Sequence, residues 1–171
     1  MILTGHEIRR QVELGSIQIT PFNHKFLNPN SYDFTLGDSL IVYRKRLLDT
    51  KSNNPIKRIY IGDSGIKLSP DRLYLAHTVE HFATNDYVPM LFAKSSVARL
   101  GLFIHATANL IDIGHRGQWT LQLHAVQPIR IYAGMRIGQA TFWKPKGKIE
   151  LYRGKYQDSK GPLPSKLEKV D

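Results

Sequence analysis

The chain has 171 residues, 42% of them apolar, with 24 Lys plus Arg against 14 Asp plus Glu and no cysteine. That length suits one globular domain able to bury roughly 70% of its unfolded surface, and the missing cysteine excludes disulfides, thiol nucleophiles, zinc–cysteine clusters and iron–sulfur centres. A formal charge of +10 implies an anionic partner, while the lack of any apolar run near 18 residues argues against membrane insertion and makes the cytoplasm the expected compartment.

The first element is a helix: Thr4-x-x-Glu7 forms a capping box, Leu3 can staple to Ile8, Ile8 and Val12 share a face, and Gly15 ends it. From Ile17 the apolar period becomes two. Ile17 and Ile19, then Tyr32, Phe34 and Leu36 before a Gly37-Asp38 turn, then Leu40 and Val42, then Ile59 to Ile61 read as short strands. Later strands are expected at Leu73 and Leu75, 91–93, 102–104, 119–125, 129–132 and 137–142, with one short helix near Ser96 to Leu100. This spacing predicts an all-β fold, a barrel or jelly roll, over residues 1–151, followed by a polar tail over 152–171.

Charge is unevenly placed. Asp112 is the single acid between Tyr87 and Ile149, against Lys94, Arg99, Arg116, Arg130, Arg136, Lys144, Lys146 and Lys148. A lone carboxylate in a cationic segment is expected to be ionised and to orient a hydroxyl or a water; the alternative is that Asp112 only caps the Ile113-Gly114 turn. Lys94-Ser95-Ser96-Val97-Ala98-Arg99 places two hydroxyls between cations at a helix start, which suits a phosphate, although Ser-Ser is also an ordinary helix cap. In Gln118-Trp119-Thr120-Leu121-Gln122-Leu123-His124-Ala125 the apolar side chains alternate with Thr120, Gln122 and His124, so a pocket on the polar face would have Gln122 at its centre. The run His77-Thr78-Val79-Glu80-His81 matches a zinc-peptidase pattern that needs a helix, and here it continues a strand, so no metal site is expected. Trp119, Trp143 and Tyr132 among the cations would fit a nucleic-acid binder, but no recognition motif accompanies them and nucleic acid is not the expected partner.

Taken together, Met1-Ile2-Leu3 with its helix, Pro29-Asn30-Ser31-Tyr32-Asp33-Phe34-Thr35-Leu36-Gly37-Asp38, Lys94-Ser95-Ser96-Val97-Ala98-Arg99-Leu100-Gly101-Leu102 and His105-Ala106-Thr107-Ala108-Asn109-Leu110-Ile111-Asp112 resemble the dCTP deaminase family of the dUTPase-like superfamily. Gly134-Met135-Arg136-Ile137-Gly138-Gln139 and the tail from Lys155-Tyr156 to Ser165 extend the resemblance over nearly the whole chain. The resemblance implies a distorted β-barrel, a homotrimer with sites between subunits, dCTP or dUTP carrying Mg²⁺, dTTP as a candidate regulator, and a C-terminal tail folding over the nucleotide. It implies that Lys94, Ser95, Ser96 and Arg99 meet the phosphates, with Ser95 and Arg99 near the reacting base, and that Thr107, Tyr152, Lys155 and Lys160 belong to the nucleotide site. Asp112 would hold the sugar 3′-hydroxyl in a deaminase or orient the attacking water in a dUTP-hydrolysing relative.

Two positions depart from the family pattern. Lys94 stands where the family usually has Arg, keeping the charge but losing the two-pronged donor. Gln122 falls where family deaminases use a glutamate to shuttle protons without a metal, and an amide has no proton affinity near neutral pH. The 105–112 segment looks more like monofunctional deaminases, so hydrolytic deamination of dCTP to dUTP is the leading expectation. Three explanations of Gln122 stand beside it: a Glu→Gln change that traps substrate, a dUTP or dCTP diphosphatase using Asp112, or a nucleotide binder without turnover.

Overall fold

In the computed structural model residues 1–167 are described; the last four residues of the expected tail, 168–171, lie outside them. Thr4 stands in extended backbone and its Oγ1 accepts the Glu7 N–H at 3.3 Å, starting α1 (Gly5–Glu13), which buries Ile8. Gly15 follows with φ +79°, a left-handed conformation that glycine adopts without steric cost. The helix therefore runs between the expected signals.

Twelve strands follow among the described residues: β1 (Ile17–Thr20), β2 (Leu27–Asn28), β3 (Ser31–Thr35), β4 (Ser39–Tyr43), β5 (Ile56–Tyr60), β6 (Ile66–Leu68), β7 (Tyr74–Thr84), β8 (Val88–Ala93), β9 (Leu102–Phe103), β10 (Arg116–Ala125), β11 (Ile129–Ile131) and β12 (Arg136–Trp143). The short internal helix, α2 (Ser95–Ala98), lies between β8 and β9. Strands β5-β4-β7-β10-β9 form one sheet with β1 added to β7, β2-β3-β12-β8 form a second, and β11 pairs with β6. All of the ladders are antiparallel. The architecture is the expected mainly β one, of the jelly-roll type.

The two larger sheets meet through aromatic side chains. Phe34 of β3 lies edge-on to Phe82 of β7 and Trp119 of β10, with centroids 6.3 and 6.0 Å apart, and Phe82 stacks on Trp119 at 3.9 Å. Tilted contacts of this kind add to the large apolar area such rings bury. Glu80 is the polar tie between the sheets: it is buried, and its carboxylate accepts the Thr35 N–H and the Thr35 hydroxyl, each at 2.9 Å. Burial pushes its pKa up, and those two donors oppose the shift.

Strand β7 is longer than the apolar pattern suggested. It carries the whole 77–81 run in extended backbone, with His77 and Glu80 buried and His81 exposed. Side chains alternate across a strand, so Glu80 faces away from the two histidines. Among the described residues no cluster of three His, Asp or Glu side chains could hold a cation.

Candidate active site

Strand β10 supplies the floor of the site. Its alternation is as read from the sequence, with Trp119, Leu121, Leu123 and Ala125 buried and Gln118, Thr120, Gln122 and His124 on the other face. Gln118, Thr120 and Gln122 line a cavity of about 540 Å³, whereas His124 lies beyond it, with its ring 6.4 Å from that of Phe103. Leu75, opposite Gln122 across the β7–β10 ladder, forms part of the adjoining apolar wall.

The segment after residue 151 lines one side of the cavity. It returns along β10: Asp158 N–H donates to the Arg116 carbonyl at 2.8 Å, Gln118 N–H donates to the Ser159 carbonyl at 2.9 Å, and the Gly161 N–H donates to Gln118 Oε1 at 2.7 Å. Leu163 N–H then donates to Thr120 Oγ1 at 3.1 Å, and Ser165 N–H to the Tyr43 hydroxyl at 2.9 Å. Gly117 permits this approach, since a Cβ there would stand 2.5 Å from Ser159 Oγ. Gln118 and Thr120 are thereby committed to the segment. The Gln122 side chain, next along the same face, makes no hydrogen bond among the described residues.

The third wall is the 105–112 loop with His115. Asp112 is exposed at the cavity wall, and its carbonyl accepts the His115 N–H at 3.1 Å, so it closes a turn and presents a carboxylate to the cavity at once. His115 Nε2 lies 3.1 Å from the Tyr156 carbonyl and must be the donor, because a carbonyl only accepts. Its Nδ1 is buried without a partner, and burial lowers its pKa. His105 also lines the cavity; its Nδ1 is likewise buried and unpaired, and burial lowers its pKa too. Neither histidine was singled out by sequence pattern, because each owes its place to a loop folded against β10.

The remaining sequence candidates divide. Tyr152 lines the cavity with Gln122 and Asp112. Ser95 and Ser96 on α2 and Arg99 just after it are exposed and do not reach this cavity, and Thr107 is exposed on the loop outside it. Lys155 turns toward the Lys166 carbonyl at 3.1 Å, and Lys160 lines a separate cleft with His81 and Arg116. Lys94 donates to the buried Asp33 carboxylate, which also takes a contact from Arg136 at 3.3 Å and one from Asn28 Nδ2 at 2.8 Å. Arg116 pairs with Asp158, and Arg130 donates to the Ser64 carbonyl. The expectation that the central cations surround Asp112 is corrected by these bonds: at least four of them are occupied elsewhere in the fold.

A family model described as dCTP deaminase-like matches residues 2–145. A protein from Clostridium acetobutylicum named dCTP deaminase, dUMP-forming, is 47% identical over 171 residues, covering 99% of this chain and 98% of its own length. One of the same name from Leptospira biflexa is 44% identical over 171 residues, covering 99% and 97%. Among solved structures, a 2′-deoxycytidine 5′-triphosphate deaminase from Agrobacterium tumefaciens aligns with a TM-score of 0.65 at 20% identity, over 82% of this chain and 47% of that one, and so supports the fold. The cavity of Gln122 and Asp112 thus lies in a chain that belongs to the dCTP deaminase-like family.

Proposed function

We propose that this chain takes a deoxypyrimidine nucleoside triphosphate into the cavity beneath its C-terminal segment and converts dCTP and dUTP to dUMP. The observation that carries the reading is Asp112, the one carboxylate lining the cavity among the described residues, in a chain whose full-length relatives are named for dUMP formation. Loss of diphosphate from a triphosphate needs water to attack the α-phosphorus. The Asp112 carboxylate accepts the proton of that water, the new P–O bond forms, and diphosphate leaves. The proposed product is dUMP rather than the dUTP that the 105–112 segment suggested, a choice supported by the dUMP-forming name of the relatives.

The phosphate-binding part is proposed to come from a second copy. Ser95, Ser96 and Arg99 are exposed outside their own cavity, and Leu100, Phe103 and Val126 nearby leave apolar surface uncovered, which supports a homotrimer with sites between subunits. Lys94 acts in this scheme through its bond to Asp33, holding the start of α2. Mg²⁺ would arrive on the triphosphate as part of the substrate, since no side-chain cluster among the described residues fits a cation. Tyr152 would pack on the nucleotide; Thr107, Lys155 and Lys160 would act from the loop and segment that border it, and dTTP would compete for the same site.

Incubation with Mg²⁺ and either dUTP or dCTP, measuring diphosphate and ammonia separately, is expected to yield diphosphate and dUMP. Asp112→Asn should lower diphosphate release about 10²–10⁴-fold. Diphosphate release unaffected by Asp112→Asn, or absent with both nucleotides, would overturn the reading.

A further inference from the structure

Converting dCTP to dUMP also requires loss of the amino group at cytosine C4, and this needs a group that accepts and returns protons. Gln122 cannot be that group, because its amide neither gains nor loses a proton near pH 7. The cavity offers few alternatives. The hydroxyls of Tyr43, Tyr152 and Tyr156 are already engaged, accepting backbone N–H bonds from Ser165, Tyr156 and Lys166. His115 is held by the Tyr156 carbonyl, and Asp112 is assigned to the phosphate end.

We infer that His105 carries the protons for deamination in this chain, in the place of the carboxylate absent at position 122. The inference rests on the nucleotide reading above. The geometry is local: Gln122 N–H donates to the Ile104 carbonyl at 2.9 Å, so the residue next to that carbonyl, His105, adjoins Gln122 where both line the cavity. His105 also borders a small cleft with Ala98 of α2, so it lies between Gln122 and the helix that carries Ser95 and ends at Arg99. Its Nδ1 is sealed from solvent and has no hydrogen-bond partner among the described residues. Nε2 is neither sealed nor bonded among the described residues, so in the tautomer with the proton on Nδ1 it is the basic nitrogen that faces the cavity. Burial lowers the ring's pKa, so it is neutral near pH 7 and able to accept a proton.

Water gives a proton to Nε2 as its oxygen bonds C4, and the C4=N3 electron pair moves to N3, which takes that proton from the imidazolium. The proton of the new C4 hydroxyl then passes through the imidazole to the amino nitrogen. The C4–N bond breaks, ammonia leaves, and the carbonyl of uracil forms. Gln122 can still orient the ring by one donated and one accepted hydrogen bond.

The test uses the full chain with Mg²⁺ and follows ammonia from dCTP and diphosphate from dUTP. Ammonia should be released by the unaltered chain and fall about 10²–10⁴-fold in His105→Gln, with a far smaller effect on diphosphate from dUTP, whose hydrolysis moves no proton at C4. Adding Gln122→Glu to His105→Gln should restore ammonia release, which a purely structural role of His105 would not allow. The inference is overturned by equal ammonia release from His105→Gln, by no rescue, or by no ammonia from the unaltered chain while dUTP is still cleaved. Absence of both products from every variant would instead remove the nucleotide reading on which it rests.

Discussion

At position 122 a carboxylate and an amide have nearly the same shape but only the carboxylate can take a proton, so the substitution moves the acid–base question to the surrounding side chains. His105, to which that role is proposed to fall, and His115 on the same cavity both have their pKa lowered by burial, and this has a consequence for stability. In the unfolded chain each ring takes up a proton near pH 6.5, while in the folded chain it refuses one until lower pH. The unfolded state therefore gains more protons as pH falls, and the fold should lose stability from about pH 6.5 downward. Glu80 acts in the opposite sense, since its raised pKa makes the folded state hold its proton more tightly as pH approaches 4.5 from above. Urea midpoints between pH 7.5 and 5.5 are expected to fall, and to fall less in His115→Gln. Identical slopes for the two proteins would contradict the assignment. None of this was legible in the sequence, where His105 and His115 sit in loops with no period to mark them.

Among the elements, α2 shows how a short helix is held by residues far from it in sequence. The helix has four residues and its N-cap, Lys94, makes no side-chain cap bond, so its starting angle depends on the ion pair with Asp33, 61 positions away. Asp33 itself is fully buried on β3, with Lys94, Arg136 and Asn28 converging on it. Removing one member of a buried ion pair leaves an uncompensated charge. Lys94 and Arg136 keep part of their surface in water, so Asp33→Ala is expected to cost about 1–3 kcal/mol, with Asp33→Asn costing less, as measured by urea unfolding. A loss below about 1 kcal/mol would show that the pair does not hold the helix. Sequence pattern located both β3 and α2, and read Lys94 as a phosphate ligand because a single strand or helix shows its own period but not its partner.

For the molecule as a whole, the decisive feature is the segment that leaves β12 and returns along β10 to cover the cavity. Gly117 is its hinge of contact: φ is +136°, and any Cβ would collide with the Ser159 backbone as well as its hydroxyl. Gly117→Ala is expected to lift the segment, loosen the backbone around the already exposed Lys155 and Lys160 so that trypsin cuts there faster, and shrink any rise in melting temperature that the proposed substrate dUTP with Mg²⁺ would produce by mass action. Unchanged cleavage and an unchanged rise would show that the segment closes the site without this contact.

The +10 charge, the capped first helix, the period-two strands and the alternation that sets Gln122 on the pocket face of β10 follow from the sequence alone, because each depends on neighbours within a few residues. The motif blocks likewise carried the family. Which cations stay free, which histidines share the cavity with Gln122, and where the last segment docks were decided only by the tertiary structure. Those contacts join residues tens of positions apart, and they form only after the sheets have brought their strands into register.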